Sequence, residues 1–118
     1  MGWTHWDKLA NKDEIFNDGI EYDGHAVYEL GVRRRYGKYV TPVYVGETNN
    51  LKRRMGEYAT TGSHLWSYAS KYWRMGYTVF YRFQYMDSKN EAVNLQNELL
   101  KEHGLERYPW NNNFNNED

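Results

Sequence analysis

Two short strand patterns joined by a basic turn constrain this chain more than any other stretch of it. His25 to Val32 alternates, with Ala26, Tyr28, Leu30 and Val32 on one face, and reads as a strand. Tyr39 or Val40 to Gly46 reads as its antiparallel partner across an Arg-rich hairpin. Pro42 places the start of that partner at an edge or a bulge, because proline cannot donate to a ladder. The second strand closes on Val43-Tyr44-Val45-Gly46, and Arg54 follows ten residues after Tyr44. Thr48 can cap a helix from about Asn49 to Tyr58, which would converge Tyr28, Tyr44 and Arg54 at one end of a small sheet. Such a group can serve phosphodiester hydrolysis. Each piece alone is ordinary, since Val-Tyr-Val is common strand filler and Arg54 lies in a run that suits a solvated helix face; order and spacing together carry the reading.

The rest of the chain completes one α/β unit. Charged and apolar residues from Trp3 to about Phe16 alternate in a loosely helical way, and Asn17-Asp18-Gly19 and Asp23-Gly24 mark turns. Ser63 can cap a second helix running to about Arg74. Tyr77 to Tyr85 reads as a third strand through Val79, Tyr81 and Phe83. Ser88-Lys89-Asn90-Glu91 is a capping box that opens a helix to about His103, ended by Gly104. The expected fold is therefore α/β (α+β), a small three-stranded, largely antiparallel sheet flanked by helices. At 118 residues the chain forms one domain over 1–118, with 1–24 an N-terminal extension and 113–118, in an Asn-rich end, a flexible tail.

Composition narrows the function classes. The absence of cysteine removes disulfides, thiolate zinc sites and cysteine nucleophiles together. No apolar run approaches the roughly 20 residues of a membrane helix, and no signal-peptide core is seen, so a soluble, cytoplasmic protein without membrane contact is expected. The net charge of −1 conceals an uneven spread: residues 1–24 carry −4, and residues 25–60 carry +4. Arg33, Arg34, Arg35, Lys38, Lys52, Arg53 and Arg54 make that basic segment, which coincides with the tyrosines and suits contact with DNA phosphates; a solvated hairpin tip is the plain alternative.

With these residues the chain resembles the GIY-YIG nucleases, over roughly Ala26 to Asn112. Ala26-Val27-Tyr28 stands where the family has Gly-Ile-Tyr, and Tyr44-Val45-Gly46 where it has Tyr-Ile-Gly. Arg54 takes the place of the helix arginine, Tyr58 the place of a His or Tyr, and Trp110-Asn111 matches the aromatic-Asn pair after the last helix. The chain departs from the pattern in the missing first glycine, in a hairpin that sets Tyr44 sixteen residues after Tyr28, and above all at Gln96. The family has a metal-binding Glu there, and this chain reads Gln96-Asn97-Glu98-Leu99-Leu100-Lys101.

The resemblance implies a metal-dependent DNA endonuclease, from a restriction, repair, mobile-element or phage context, using one Mg²⁺ or Mn²⁺. Tyr28, with Tyr44 or Tyr58, would position or deprotonate the attacking water; Arg54 would balance charge on the phosphorus; the group at position 96 would hold the metal. A phenol of pKa near 10 needs a cation such as Arg54 to act as base. Gln96 shares a helix face with Ala92, Leu99, Leu100 and His103, whereas Glu98 lies about 200° round the helix, so Glu98 does not replace it. Gln96 thus reads as an isosteric replacement of a carboxylate, or else as a core-edge amide. Asn111 either braces the tyrosine site or is a simple loop amide.

Trp66, Tyr68, Tyr72 and Trp73 fit core and cover first, and nucleic acid or homodimer contact second. His5, His25, His64 and His103 are too scattered for a metal cluster. Two further functions are compatible with the residues: a non-catalytic nucleic-acid-binding module, and an aromatic-rich protein-interaction domain.

Overall fold

Alternation of side chains decides which residues of this chain face each other. The computed structural model describes residues 2–9, 24–58 and 66–111. Among them the chain forms, in order, β1 (Asp7–Lys8), β2 (His25–Arg33), β3 (Thr41–Thr48), α1 (Leu51–Tyr58), α2 (Trp66–Arg74), β4 (Thr78–Met86) and α3 (Lys89–Arg107). The sheet runs β1-β4-β2-β3 and is antiparallel throughout.

It therefore has four strands, not three. The fourth is the N-terminal segment, whose helical reading fails over residues 2–9. The Thr4 N–H donates to the Phe83 carbonyl (2.9 Å), the Phe83 N–H to Thr4 Oγ1 (3.0 Å), and the Leu9 N–H to the Val79 carbonyl (2.8 Å). The open edge of β4 offers this segment a row of backbone partners and a place to bury Leu9, and that outweighs a loose helical periodicity. The remainder of that segment and the Asn17-Asp18-Gly19 turn lie outside the described residues, as does Ser63.

Strand β2 is buried along nearly its whole length, so both its faces are covered. On the first, Tyr28, Leu30 and Val32 join Val79 and Tyr81 of β4, Leu51, Met55 and Tyr58 of α1, Ala69 of α2, and Trp110. On the second, Val27 and Val45 meet Ala92 of α3 and Tyr108, with Leu95, Leu99 and Leu100 packed against them. The β2–β3 register passes from Leu30 opposite Tyr44 to Gly31 opposite Pro42, leaving Val43 as a bulge beside the proline on the edge strand.

Helix starts follow local hydrogen bonding. Asn50, not Thr48, caps α1: its Oδ1 accepts from the Arg53 N–H (3.0 Å), while Thr48 stays in β3 and accepts from the Asn50 N–H through Oγ1 (3.1 Å). Ser88 caps α3 as expected, accepting from the Glu91 N–H (3.2 Å). The regular part of α3 breaks at Gly104 (φ 64, ψ −165), a left-handed position that glycine adopts without a Cβ clash. That break turns the chain so that Tyr108, Trp110 and Asn111 run back into the core.

Candidate active site

Tyr28 and Gly46 are register partners on β2 and β3, and the tyrosine ring lies over the glycine. A Cβ at position 46 would fall 2.5 Å from the Tyr28 hydroxyl oxygen and 2.6 Å from Cζ, so only glycine leaves room. The phenol is thereby carried from a central strand to the sheet edge. Tyr44, beside it on β3, and Tyr58, at the end of α1, complete a triangle with ring centroids 5.9 to 6.4 Å apart. The Tyr28 and Tyr58 hydroxyls hydrogen-bond to each other, and both rings are buried, at 2% and 4% exposure.

Arg54 sits one helical turn before Tyr58, on the same face of α1. Its Nε is buried without a hydrogen-bond partner, and the carboxylate of Glu57 stands 3.7 Å away, beyond hydrogen-bond length. Burial works to lower its pKa, but Tyr28, Tyr58, Glu57 and Tyr44 outweigh that and hold it above the ordinary value. It is a permanent cation with a donor to spare, pointed among three phenols.

Asn111 braces the outer edge of β3. Its Oδ1 accepts from the Val45 N–H and its Nδ2 donates to the Val45 carbonyl, both at 3.0 Å and buried. The side chain copies a strand partner for the outer edge of β3, fixing the residue between Tyr44 and Gly46. Behind it lies a charged knot that the sequence did not disclose. Glu29, fully buried on the face opposite the tyrosines, accepts from Arg82 Nε (2.7 Å), pairs with Arg82 Nη2 (2.5 Å) and Arg107 Nη2 (3.6 Å), and accepts from the Tyr108 hydroxyl. Trp3 and Trp6 cover the Arg82 guanidinium, 4.9 and 4.4 Å from ring centroid to Cζ. Since the Asn111 N–H bonds the Tyr108 carbonyl (3.0 Å), this knot sets where Asn111 lies. The only sequence signal was a carboxylate in the middle of an otherwise apolar strand.

Burial opposes the phenolate form at this site. Burial, then the neighbouring Tyr58 and Tyr44, raises Tyr28 well above the ordinary phenol, and the lowering by Arg54 is smaller. Burial likewise raises Tyr58. Burial therefore favours the neutral phenol at both, a form that can orient a water or an oxygen. With folded pKa values above the unfolded value near 10, their stabilisation is complete below about pH 10 and falls as pH rises beyond it, by about 1.4 kcal/mol per unit for each group. Denaturant titrations at successive pH values should show constant stability from neutrality to about pH 9 and a steep loss above pH 10.

The remaining candidates divide. Gln96 is half-buried on α3, within the arc of Ala92, Leu95, Leu99 and Leu100, as its helical position requires. That arc packs on the Val27–Val45 face, so position 96 and the three phenols belong to opposite sides of the sheet. Arg34, Arg35 and Lys38 are exposed in the hairpin, and Arg53 is exposed on α1. Arg33 is laid over the Phe80 ring (4.8 Å) and Lys52 is half-buried. Two rings of α2 pack inward: Tyr68 stacks on Trp110 at 5.1 Å and Tyr72 packs against Trp110 and Tyr77, as core cover requires.

A sequence model of the family described as GIY-YIG domain-containing protein matches residues 9–118. The chain belongs to the GIY-YIG family. The match spans essentially the whole sequence, so the tyrosine triangle, Arg54 and the Asn111 brace all lie within the GIY-YIG match. Among the curated proteins and the solved structures, none matches the sequence. GIY-YIG domains are typically endonucleases that act on DNA with divalent metals. No helix among the described residues is long and apolar enough to cross a membrane.

The donor set does not fit a divalent ion in the way the family implies. Among the described residues no three His, Cys, Asp or Glu side chains are grouped to hold one, and position 96 offers a neutral amide.

Proposed function

We propose that this GIY-YIG domain binds DNA and seats a phosphodiester against Arg54, as an endonuclease whose turnover Gln96 holds down. The observation that carries the reading is the buried, unpartnered Nε of Arg54 beside the Tyr28, Tyr44 and Tyr58 rings. A guanidinium with an unused donor suits a phosphate oxygen, and a charge-assisted bond there strengthens as negative charge grows on the phosphorus. The neutral phenols of Tyr28 and Tyr58 would orient the attacking water, Tyr44 would line its approach, and Asn111 would hold the edge of β3 in register beneath them. Arg34, Arg35, Lys38 and Arg53 would track neighbouring phosphates. One such set per chain cuts one strand at a time.

Arg54 provides the test. Arg54→Ala should weaken binding to a short DNA by about tenfold to a hundredfold, the loss of one charge-assisted hydrogen bond, and reduce the slope of log affinity against log salt by about one. Because Nε bonds nothing within the protein, the thermal midpoint should hardly move. Unchanged affinity and slope in a folded variant would remove the phosphate from Arg54.

A second reading, a binding module that has lost catalysis, is favoured by the neutral amide at position 96 alone. The packing of Tyr68 and Tyr72 on Trp110 gives the protein-interaction reading less support.

A further inference from the structure

The hairpin between β2 and β3 ends in two tyrosines that the fold does not use. Tyr36 is 95% and Tyr39 83% exposed, whereas the other described tyrosines are buried or half-buried. Among the described residues their one ring contact is the Arg35 guanidinium, 5.9 Å from the Tyr36 centroid. Tyr36 also stands in the left-handed region (φ 67), at the third position of a turn closed by the Gly37 N–H on the Arg34 carbonyl (2.8 Å). Glycine or asparagine ordinarily fills that position, because a Cβ there is strained. A bulky ring kept in a strained, solvent-facing place, where glycine would serve the turn better, has a use outside the fold.

The charge around it names the occupant. Arg34, Arg35 and Lys38 flank the rings and are themselves exposed, and no Asp or Glu occurs between Glu29 and Glu47. Cations alone would suit the phosphates of any duplex. Cations interleaved with exposed aromatic faces suit bases that are free to leave a helix, since a base inside a duplex presents its edge and not its face.

We infer that the hairpin tip is a stacking platform for unpaired bases, so that the DNA this domain acts on carries a single-stranded segment beside the scissile phosphate. The spacing follows from the fold and rests on the reading of Arg54 and the phenols as the phosphodiester site. Tyr39 precedes Tyr44 by five residues, at most roughly 16 Å of extended chain, or about five nucleotides of a stacked strand. The preferred substrate is thus a duplex with an overhang or gap, or a branch, whose unpaired bases begin within about five nucleotides of the bond to be cut.

Fluorescence anisotropy with the full chain decides it, using a labelled oligothymidylate, a blunt duplex of the same length, and a duplex with a thymidine overhang. The double variant Tyr36→Ala, Tyr39→Ala should lose about tenfold or more in affinity for the oligothymidylate and the overhang, with blunt-duplex affinity within twofold of the parent. Tyr36→Phe should bind as the parent does. Tyr36→Gly, which relieves the turn, should melt no lower than the parent and still bind the single strand more weakly. Equal losses on blunt and single-stranded DNA, or no loss on either, would overturn the platform, as would parental binding to an acidic peptide that the double variant lacks with no change on DNA. The two readings fail separately: Arg54→Ala leaving affinity and salt slope unchanged rejects the phosphate seat with the platform intact, and tip variants that bind overhang DNA normally reject the platform with the seat intact.

Discussion

Replacing Gln96 by Glu should raise Mg²⁺-dependent DNA cleavage by a hundredfold or more. The substitution changes one atom of the side chain and keeps its volume, so the packing of Ala92, Leu95, Leu99 and Leu100 against Val27 and Val45 should be undisturbed. What it adds is a negative charge at a half-buried position, the one proposed above to limit turnover. Charge stabilisation through a firmly bound cation is worth several kcal/mol in the transition state, and every 1.36 kcal/mol is tenfold in rate. Single-turnover cleavage of an end-labelled overhang duplex, with Mg²⁺ varied, measures the gain. A Glu form that binds DNA as tightly as the parent and cleaves no faster would leave the domain a binding module.

The second large effect belongs to stability. Glu29→Gln should cost about 3–5 kcal/mol, because Arg82 and Arg107, both partly buried, would then face a neutral amide at a fully buried position. For a domain of this size that is a large share of the whole margin. The same substitution should loosen the Tyr108–Asn111 turn and with it the edge of β3, so DNA binding should fall even in conditions where the protein remains folded. Urea unfolding of the parent, Glu29→Gln and Tyr108→Phe checks the order: the parent most stable, Tyr108→Phe lower by about 1–3 kcal/mol because it removes one buried hydrogen bond, and Glu29→Gln lowest. A Glu29→Gln protein within 1 kcal/mol of the parent would mean that the buried charges relax to solvent.

The three long strands and three helices could be read from the chain because each carries its own local signal. Tyr28, Leu30 and Val32 keep a strict two-residue period, Pro42 marks its bulge, Ser88 and Glu91 open α3, and Gly104 breaks it. The N-terminal strand was illegible because Thr4 and Leu9 are held by backbone bonds to β4, some seventy residues away in sequence, and no local pattern reports a distant edge. The tyrosine triangle was legible as spacing, but the pKa of its phenols was not: proximity to Arg54 suggested a lowered value, whereas burial, which depends on what α1 and α2 cover, raises it. Glu29 was passed over for a related reason. A charge in a strand reads as solvent-facing until the helix that buries it, and the arginines that meet it, are known. Tyr36 and Tyr39 gave no sequence signal beyond their basic neighbours, since only the fold shows that they stay outside.

The most direct test of the phosphate seat is a nicking time course on supercoiled plasmid with the Gln96→Glu protein, run beside the same protein carrying Arg54→Ala as well. The account predicts nicked circles from the first and linear product only later, with the second protein slower by about two orders of magnitude while equally folded. Equal nicking by the two would contradict it, because the hydrolysis would then proceed without the Arg54 guanidinium.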